Sequence, residues 1–475
     1  MEDISMQLFT GTLKYRGIQF TYCMLGNNLR LIPPKEKEHE IEWEWGMRKL
    51  SDGAYTFGDP LPVGEDYLVG DCNETRQKMV FLPRQGGHLG INNSTVNIQL
   101  MAYISYSCFA EGIDKVSFFC PELNYIFPIN HAYSVEVPEG DGSSGVVGVK
   151  TLQYSATTTG RQVFSVDGKD VSVCFGVART ISTKIEDPPI CLETSLIFEF
   201  EATNDYSFIV RLWKIAKDFI RFLCYRNNVS LQEIRLATPY EEGMHSACAT
   251  MFFFDDEEVV ELDALKKGRY IRQTLISGCE GKILTEIADG LLYLRHLPET
   301  YLIGRTINAA RFVMITAAFE WEFSQLYPNG VEKAGKTVEA ENAVSTHIQK
   351  CIEQTTGKEK KIYSFLKKLV RSDSLQAEIV QVGKDFSDVL DVFGNHIYKL
   401  NGQELKYSDM GDRLASQRNH FAHGDLDKEF IGLSLLDLIY LELVVYAMQL
   451  KKVGVTKTSI QKAINELFCQ RLEIL

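Results

Sequence analysis

The sequence predicts an α+β multidomain protein, with a β-rich, sandwich- or barrel-like N-terminal domain followed by an all-α helical bundle. Three observations predict this. Up to about residue 204 the chain alternates β-branched and aromatic runs with Gly, Asn, Asp and Ser turn clusters. From Pro298 onward its apolar residues recur at helical spacing. At 475 residues it also exceeds one ordinary core, so two or three domains are expected. The boundaries read as 1–204 for the β-rich domain, 205–297 for a connecting α/β region and 298–475 for the bundle.

The strands come first. "LKYRGIQFTYCML", "NIQLMAYISYSCF", "KVSFFCPELNYIF", "KDVSVCFGV" and "TSLIFEFEA" read as short strands, with turns at "LGNN", "SDG", "PEGDGSSG" and "TTTGR". No helical period intervenes, which argues an antiparallel sandwich or barrel. "IEWEWGM" reads as a strand with Trp43 and Trp45 on one face, a pair that fits a sheet core better than a sugar- or base-stacking surface. "DYSFIVRLWKIAKDFIRFLCYRNN" then places Phe208, Ile209, Leu212, Ile215, Phe219, Phe222 and Leu223 on one helical face. Two strand-like pieces follow, "SLQEIRLAT" and "ATMFFFDDE".

The helices come next. The first runs through "TINAARFVMITAAFEWEFSQLY" and stops at Pro328-Asn329-Gly330; "AVSTHIQKCIEQTT" and "KEKKIYSFLKKLVR" follow, and "LQAEIVQVGKDFSDVLDVF" reads as one more. A helix begins at Ser408 or Asp409 as N-cap and stops at Gly424. "GLSLLDLIYLELVVYAMQL" and "SIQKAINELFCQRL" finish the chain. Asp437 and Glu442 inside the apolar helix make it a buried bundle helix and not a membrane span.

Composition bounds the function. Hydrophobic residues make up 45% and charged residues 24%, as in globular proteins. A net charge of −13 repels nucleic acid as a whole, so any such contact needs a local basic patch. Eleven cysteines without CxxC spacing read as free core thiols in a reducing cytoplasm, and no metal site is expected. His88 and His131 lack cysteine or acidic partners at ligand spacing. "PEGDGSSGVVG" has no Gly-Lys-Ser/Thr ending and is no Walker loop. The start, "MEDISMQLFTG", is not a signal peptide, so a cytoplasmic location is expected.

The densest chemistry lies in "RNHFAHG", Arg418 to Gly424. Asn419 and His423 stack four residues apart, whereas Arg418 and His423, five apart, diverge by roughly 140° around one helix. Two such helices meeting at a symmetry axis could converge on one point. Metal-free RNA cleavage needs a base for the 2′-hydroxyl proton, a cation for the pentacovalent phosphate and an acid for the leaving oxygen. Histidine serves the first and last near neutral pH, and arginine serves the second. The bland reading is a solvated bundle face, with Arg418 and His423 in local ion pairs to Asp412, Asp425 or Asp427.

The motif resembles the Arg-x4–6-His signature of the HEPN superfamily in its Arg-Asn-x-x-x-His form. Asn419 directly follows Arg418, an Ala-His-Gly end closes the motif, and it sits on a late helix before a long apolar one. The resemblance covers about the last third of the chain. It implies an all-α bundle, usually dimeric, and a metal-independent endoribonuclease without cofactor. It also implies Arg418 and His423 as the catalytic pair, with Asn419 in support and an acidic partner on the first helix, Glu320 or else Glu322. His420 occupies a variable position suited to substrate contact or structure. The opening "FTGTLKYRGIQFTYCMLG" and "IAKDFIRFLCYRNNVSLQEI" resemble ApeA-type HEPN proteins of bacterial abortive infection, which implies antiviral defence.

An RNA surface is expected on "GKEKKIYSFLKKLVR". Ile362, Phe365, Leu366, Leu369 and Val370 form its apolar stripe, and Lys358, Lys360, Lys361, Lys367, Lys368 and Arg371 lie around the rest. The expected partners are an RNA substrate, with transfer RNA one option, a second copy of the chain and a phage-derived trigger; no membrane is expected. Two rival functions use the same residues: a HEPN module that binds RNA or nucleotides without cutting, and a carbohydrate-related β-sandwich protein with a helical dimerisation domain.

Overall fold

The computed structural model describes residues 8–45, 47–57, 61–92, 94–136, 148–153, 157–241, 243–254, 261–371, 373–422 and 430–474. The chain forms two compact units. One comprises Met1–Leu223, Asn228–Leu265 and Glu280–Ala288; the other comprises Cys224–Asn227, Lys266–Cys279 and Asp289–Leu475. The stretch read as a connecting region, 205–297, is thus divided between them.

The first unit is built on alternation. In β1 (Leu8–Tyr15), β2 (Ile18–Leu25) and β3 (Asn28–Ile32), every second side chain is buried. They join β4 (Leu68–Cys72), β5 (Lys78–Pro83) and β6 (Thr95–Tyr106), all antiparallel. The order β6-β3-β2-β1-β4-β5 returns to β6, so these six strands close into a barrel. Closure leaves no open edge among them. Leu13, Phe20, Tyr22, Leu31, Phe81 and Ile98 belong to one buried cluster that fills it.

β6 also leads out of the barrel. Its residues Val96–Gln99 pair with β3, and Ala102–Tyr106 pair with β12 (His245–Phe253). The sheet continues through β11 (Glu233–Pro239), β7 (Ile113–Phe119), β10 (Ile190–Thr203) and β9 (Lys169–Ile181) to β8 (Gln162–Val166). Helix α1 (Tyr206–Cys224) lays Phe208, Trp213 and Phe219 on Phe200, Phe253 and Phe175. Helix α2 (Glu280–Ala288) approaches β8 so closely at Gly281 that a Cβ there would stand 2.6 Å from the Val163 carbonyl oxygen.

One strand is corrected. Ile41–Trp45 is a wide helical turn, not a strand. Residues two apart then diverge, so Trp45 packs on Tyr15 and Phe20 while Trp43 is exposed and stacks on His39. The "PEGDGSSG" turn lies outside the described residues.

The second unit is helical. Its helices are α3 (Ala309–Leu326), α4 (Gly335–Gln354), α5 (Gly357–Arg371), α6 (Leu375–Asp385), α7 (Ser387–Leu400), α8 (Tyr407–Ala422), α9 (Ser434–Lys452) and α10 (Lys457–Leu467). The stretch read as one helix, "LQAEIVQVGKDFSDVLDVF", is two. The chain breaks at Phe386, whose ψ of 9° leaves the helical range and turns its ring into the core.

α9 is the buried centre, and its two acids are satisfied. Arg413 Nε and Nη2 donate to Asp437 Oδ2 and Oδ1 at 2.6 and 2.8 Å, and the Tyr398 hydroxyl donates to Oδ1. Glu442 accepts from Arg311 and, at 2.6 Å, from the Tyr225 hydroxyl. Among the described residues no helix is long and apolar enough to cross a membrane.

Candidate site on helices α3, α6 and α8

α8 owes its placement to a narrow buried stripe. Met410, Leu414, Gln417 and Phe421 recur at three- and four-residue spacing and are all buried. It packs on α3, α6 and α9. The helix begins at Tyr407, so Ser408 and Asp409 are first-turn residues and not its N-cap. Ser408 spends its hydroxyl on Asp409 instead of a main-chain amide. The start is fixed by Tyr407, whose hydroxyl donates to Asp391 Oδ1 at 2.8 Å and bonds Tyr440 at 2.9 Å. Gly411 lets α8 meet α6 at backbone contact: a Cβ there would stand 2.7 Å from Gln376 Cα.

The far end of α8 is anchored twice. Phe421 packs against Phe312 of α3 and against Phe430, with ring centroids 5.3 and 5.6 Å apart. The buried Gln417 accepts from the Ile431 amide at 2.8 Å and the Ser434 hydroxyl at 3.1 Å. The chain on both sides of residues 423–429 is therefore held. His423 and Gly424 lie outside the described residues, as do Asp425 and Asp427.

Arg418 projects from the flank of the stripe and forms an ion pair with Glu320 of α3. Their side chains are 38% and 33% exposed, so both remain open to a ligand. Of the two glutamates considered, Glu320 meets the arginine and Glu322 does not. Glu322 is fully buried, accepts from Gln449 and the Tyr293 amide, and pairs with Lys452 at 2.7 Å. Its role is to tie α3 to α9. Asn419 is exposed and His420 half-buried.

Sequence reading missed a third group, Glu378 of α6. Burial pushes its carboxyl up to about 7, aided by the negative charges of Glu320 and Asp373 and opposed by Arg418. Its Oε2 is buried without a hydrogen-bond partner among the described residues. Glu378 sits in the first turn of α6, behind the N-cap Ser374. There the helix dipole favours the ionised form by ~0.3–1 kcal/mol, so burial outweighs it. No local pattern marks the residue, because a glutamate after a serine cap reads as ordinary helix-start chemistry.

The arrangement joins a guanidinium able to take a phosphate or carboxylate, a carboxylate that holds it, and a carboxyl able to carry a proton near neutral pH. Among the described residues no group of three or more His, Cys, Asp or Glu is placed to hold a metal ion.

α5 packs on α4. Lys358, Lys360, Lys361 and Lys368 are exposed, and Lys367 donates to Gln349 of α4 at 2.5 Å. The side chains of Leu369 and Arg371 lie outside the described residues. The apolar stripe read on this helix is not core: Ile362 and Phe365 are 59% and 60% exposed and Leu366 is exposed beside them. Periodicity reports an apolar face without reporting what covers it.

No protein-family model, no curated protein and no solved structure matches the chain.

Proposed function

We propose that the helical unit is a HEPN-type endoribonuclease and the chain an effector of abortive infection, of the ApeA kind. The observation that carries this is the convergence of Arg418, Glu320 and Glu378 from three helices on the helix of the Arg-Asn-x-x-x-His motif. In the proposed reaction Arg418 binds the scissile phosphate and stabilises the charge that grows on it. A base takes the 2′-hydroxyl proton, the 2′-oxygen attacks phosphorus, and an acid protonates the departing 5′-oxygen. The products are a 2′,3′-cyclic phosphate and a 5′-hydroxyl. His423 is one of these proton carriers, oriented by Asn419. Glu378, neutral in part at pH 7, supplies the complementary acid.

A second copy completes the site. The exposed Ile362, Phe365 and Leu366 form an apolar face of the kind that proteins cover by association, which supports dimerisation. The exposed lysines of α5 and His420 extend the RNA surface. The β-rich unit is the regulatory part, since an unrestrained nuclease would poison its host.

The test is expression of the chain beside His423→Ala and Arg418→Ala at matched levels, with total RNA sequenced for cut ends, without and with phage challenge. Cuts ending in cyclic phosphate, seen with the native chain alone, support the nuclease. Equal behaviour of all three chains under phage challenge, together with RNA binding that needs Arg418, leaves a non-cutting RNA-binding module.

A further inference from the structure

The helical unit holds a second concentration of guanidinium groups, away from Arg418. A pocket of about 110 Å³ is lined by Arg226, Arg269, Tyr301, Arg305, Arg311 and Glu442, among others. Arg311 and Glu320 are both on α3, nine residues apart, which is roughly 14 Å along the helix. The pocket is therefore distinct from the candidate nuclease site.

Among the described lining residues the guanidiniums outnumber the carboxylates. Glu442 is the one carboxylate among the described lining residues, and it accepts from Arg311 and the Tyr225 hydroxyl. Arg311 also donates to the carbonyls of Ile303 and Thr306, each at 3.4 Å, and so forms a fixed wall. The partners of Arg269 among the described residues are neutral: its Nη1 donates to the Leu467 carbonyl at 2.6 Å, and its guanidinium lies 5.2 Å from the Tyr301 ring centre. Lys267 adds a further cation 5.5 Å from the same ring. Arg305 is exposed. Nearby His296 is fully buried, and burial together with the Arg311 charge pushes it down to about 3.

Volume and geometry select the ligand. The pocket has room for several waters, which is enough for a phosphate group. Guanidiniums from separate segments suit a tetrahedral dianion with several oxygens better than a flat carboxylate, which one arginine fork satisfies. We propose that this pocket binds the phosphate group of a small phosphorylated molecule through Arg269 and Arg305, against the wall that Arg311 forms.

The probe is inorganic phosphate, titrated into the full chain by calorimetry and thermal melting at constant ionic strength with chloride. Saturable binding is expected, with a rise in melting temperature. Arg305→Glu, at an exposed position that leaves folding intact, should weaken binding at least tenfold, and Arg269→Gln should do likewise. Arg418→Ala should leave it unchanged, whether or not the chain is a nuclease. Absence of saturable binding at millimolar phosphate overturns the proposal. So does binding that survives both Arg305→Glu and Arg269→Gln, or binding that is lost in Arg418→Ala, which would place the phosphate at the candidate nuclease site. Competition by 5′-phosphorylated RNA with an affinity far above that of inorganic phosphate would replace the small molecule by RNA.

Discussion

Arg418 of α8 and Glu320 of α3 are 98 residues apart in the chain and form an ion pair at the surface of the helical unit. An exposed pair of this kind contributes ~0–1 kcal/mol to stability, so its value lies in orienting the guanidinium. In the proposed reaction, Arg418→Ala should lower RNA cleavage at least ~100-fold while the melting temperature changes little. Arg418→Lys should lose nearly as much, because an ammonium cannot replace a planar fork. Retention of cleavage in Arg418→Lys, measured by single-turnover kinetics, would make the arginine a mere charge.

Glu378 gives the pH dependence. Its folded value is raised from 4.5 to about 7. The folded chain therefore binds more protons than the unfolded chain between those two values. Its contribution to stability is full below pH 4.5, falls through the window, and is lost above about pH 7. Glu378→Gln should thus raise stability above pH 7, by about 1 kcal/mol once solvent screening is discounted. It should also remove a kinetic limb near pH 7 from cleavage. Melting curves between pH 4 and 8 for both chains test the sign, and a gain that is largest at acid pH would refute it.

The Arg413–Asp437 pair is the opposite kind of interaction. Asp437 is fully buried and accepts from Arg413 and Tyr398. Asp437→Ala leaves Arg413 and a buried hydroxyl without their acceptor, and should cost about 3–5 kcal/mol in urea unfolding. A loss below ~1 kcal/mol would mean that α8 is not held to α9 through this pair.

Gly411 controls how closely α8 meets α6. Gly411→Ala places a methyl 2.7 Å from Gln376 Cα, so the helices must separate. The expected cost is ~1–3 kcal/mol. If the spacing of Arg418 and Glu378 matters, cleavage should fall further than the lost stability explains, and the pH 7 limb should shift toward acid as Glu378 gains solvent.

Phe365→Lys together with Ile362→Lys tests association. Both positions are exposed, so the fold should keep its melting temperature. A dimeric native chain should become monomeric in sedimentation velocity and lose cleavage. A native chain that is already monomeric, or a dimer that survives the change, would place the interface elsewhere.

Much of the fold was legible. β-Branched and aromatic runs between turn clusters marked β1, β2 and β6 of the barrel, because such side chains pack well on a pleated surface. Helical spacing marked the helix of Ala309–Leu326, and Pro328-Asn329-Gly330 marked its stop to within a residue or two. Local rules failed where a distant group overrode them. The Tyr407 ring and its hydrogen bonds, not a serine cap, start α8. A core aromatic, Phe386, splits what reads as one helix. Trp43 and Trp45 alternate in sequence, but a helical turn sends them apart.

The sequence by itself determined the two structural classes of the chain and the helix that carries Arg418–Ala422. Those properties depend on side-chain period and local residue identity. Only tertiary structure decided which of Glu320 and Glu322 meets Arg418, that Glu378 joins them, and that Arg269, Arg305 and Arg311 line one pocket. Each is a relation between segments far apart in the chain. A raised carboxyl pKa in particular comes from the burial and fields that neighbouring helices create, and no local pattern encodes it.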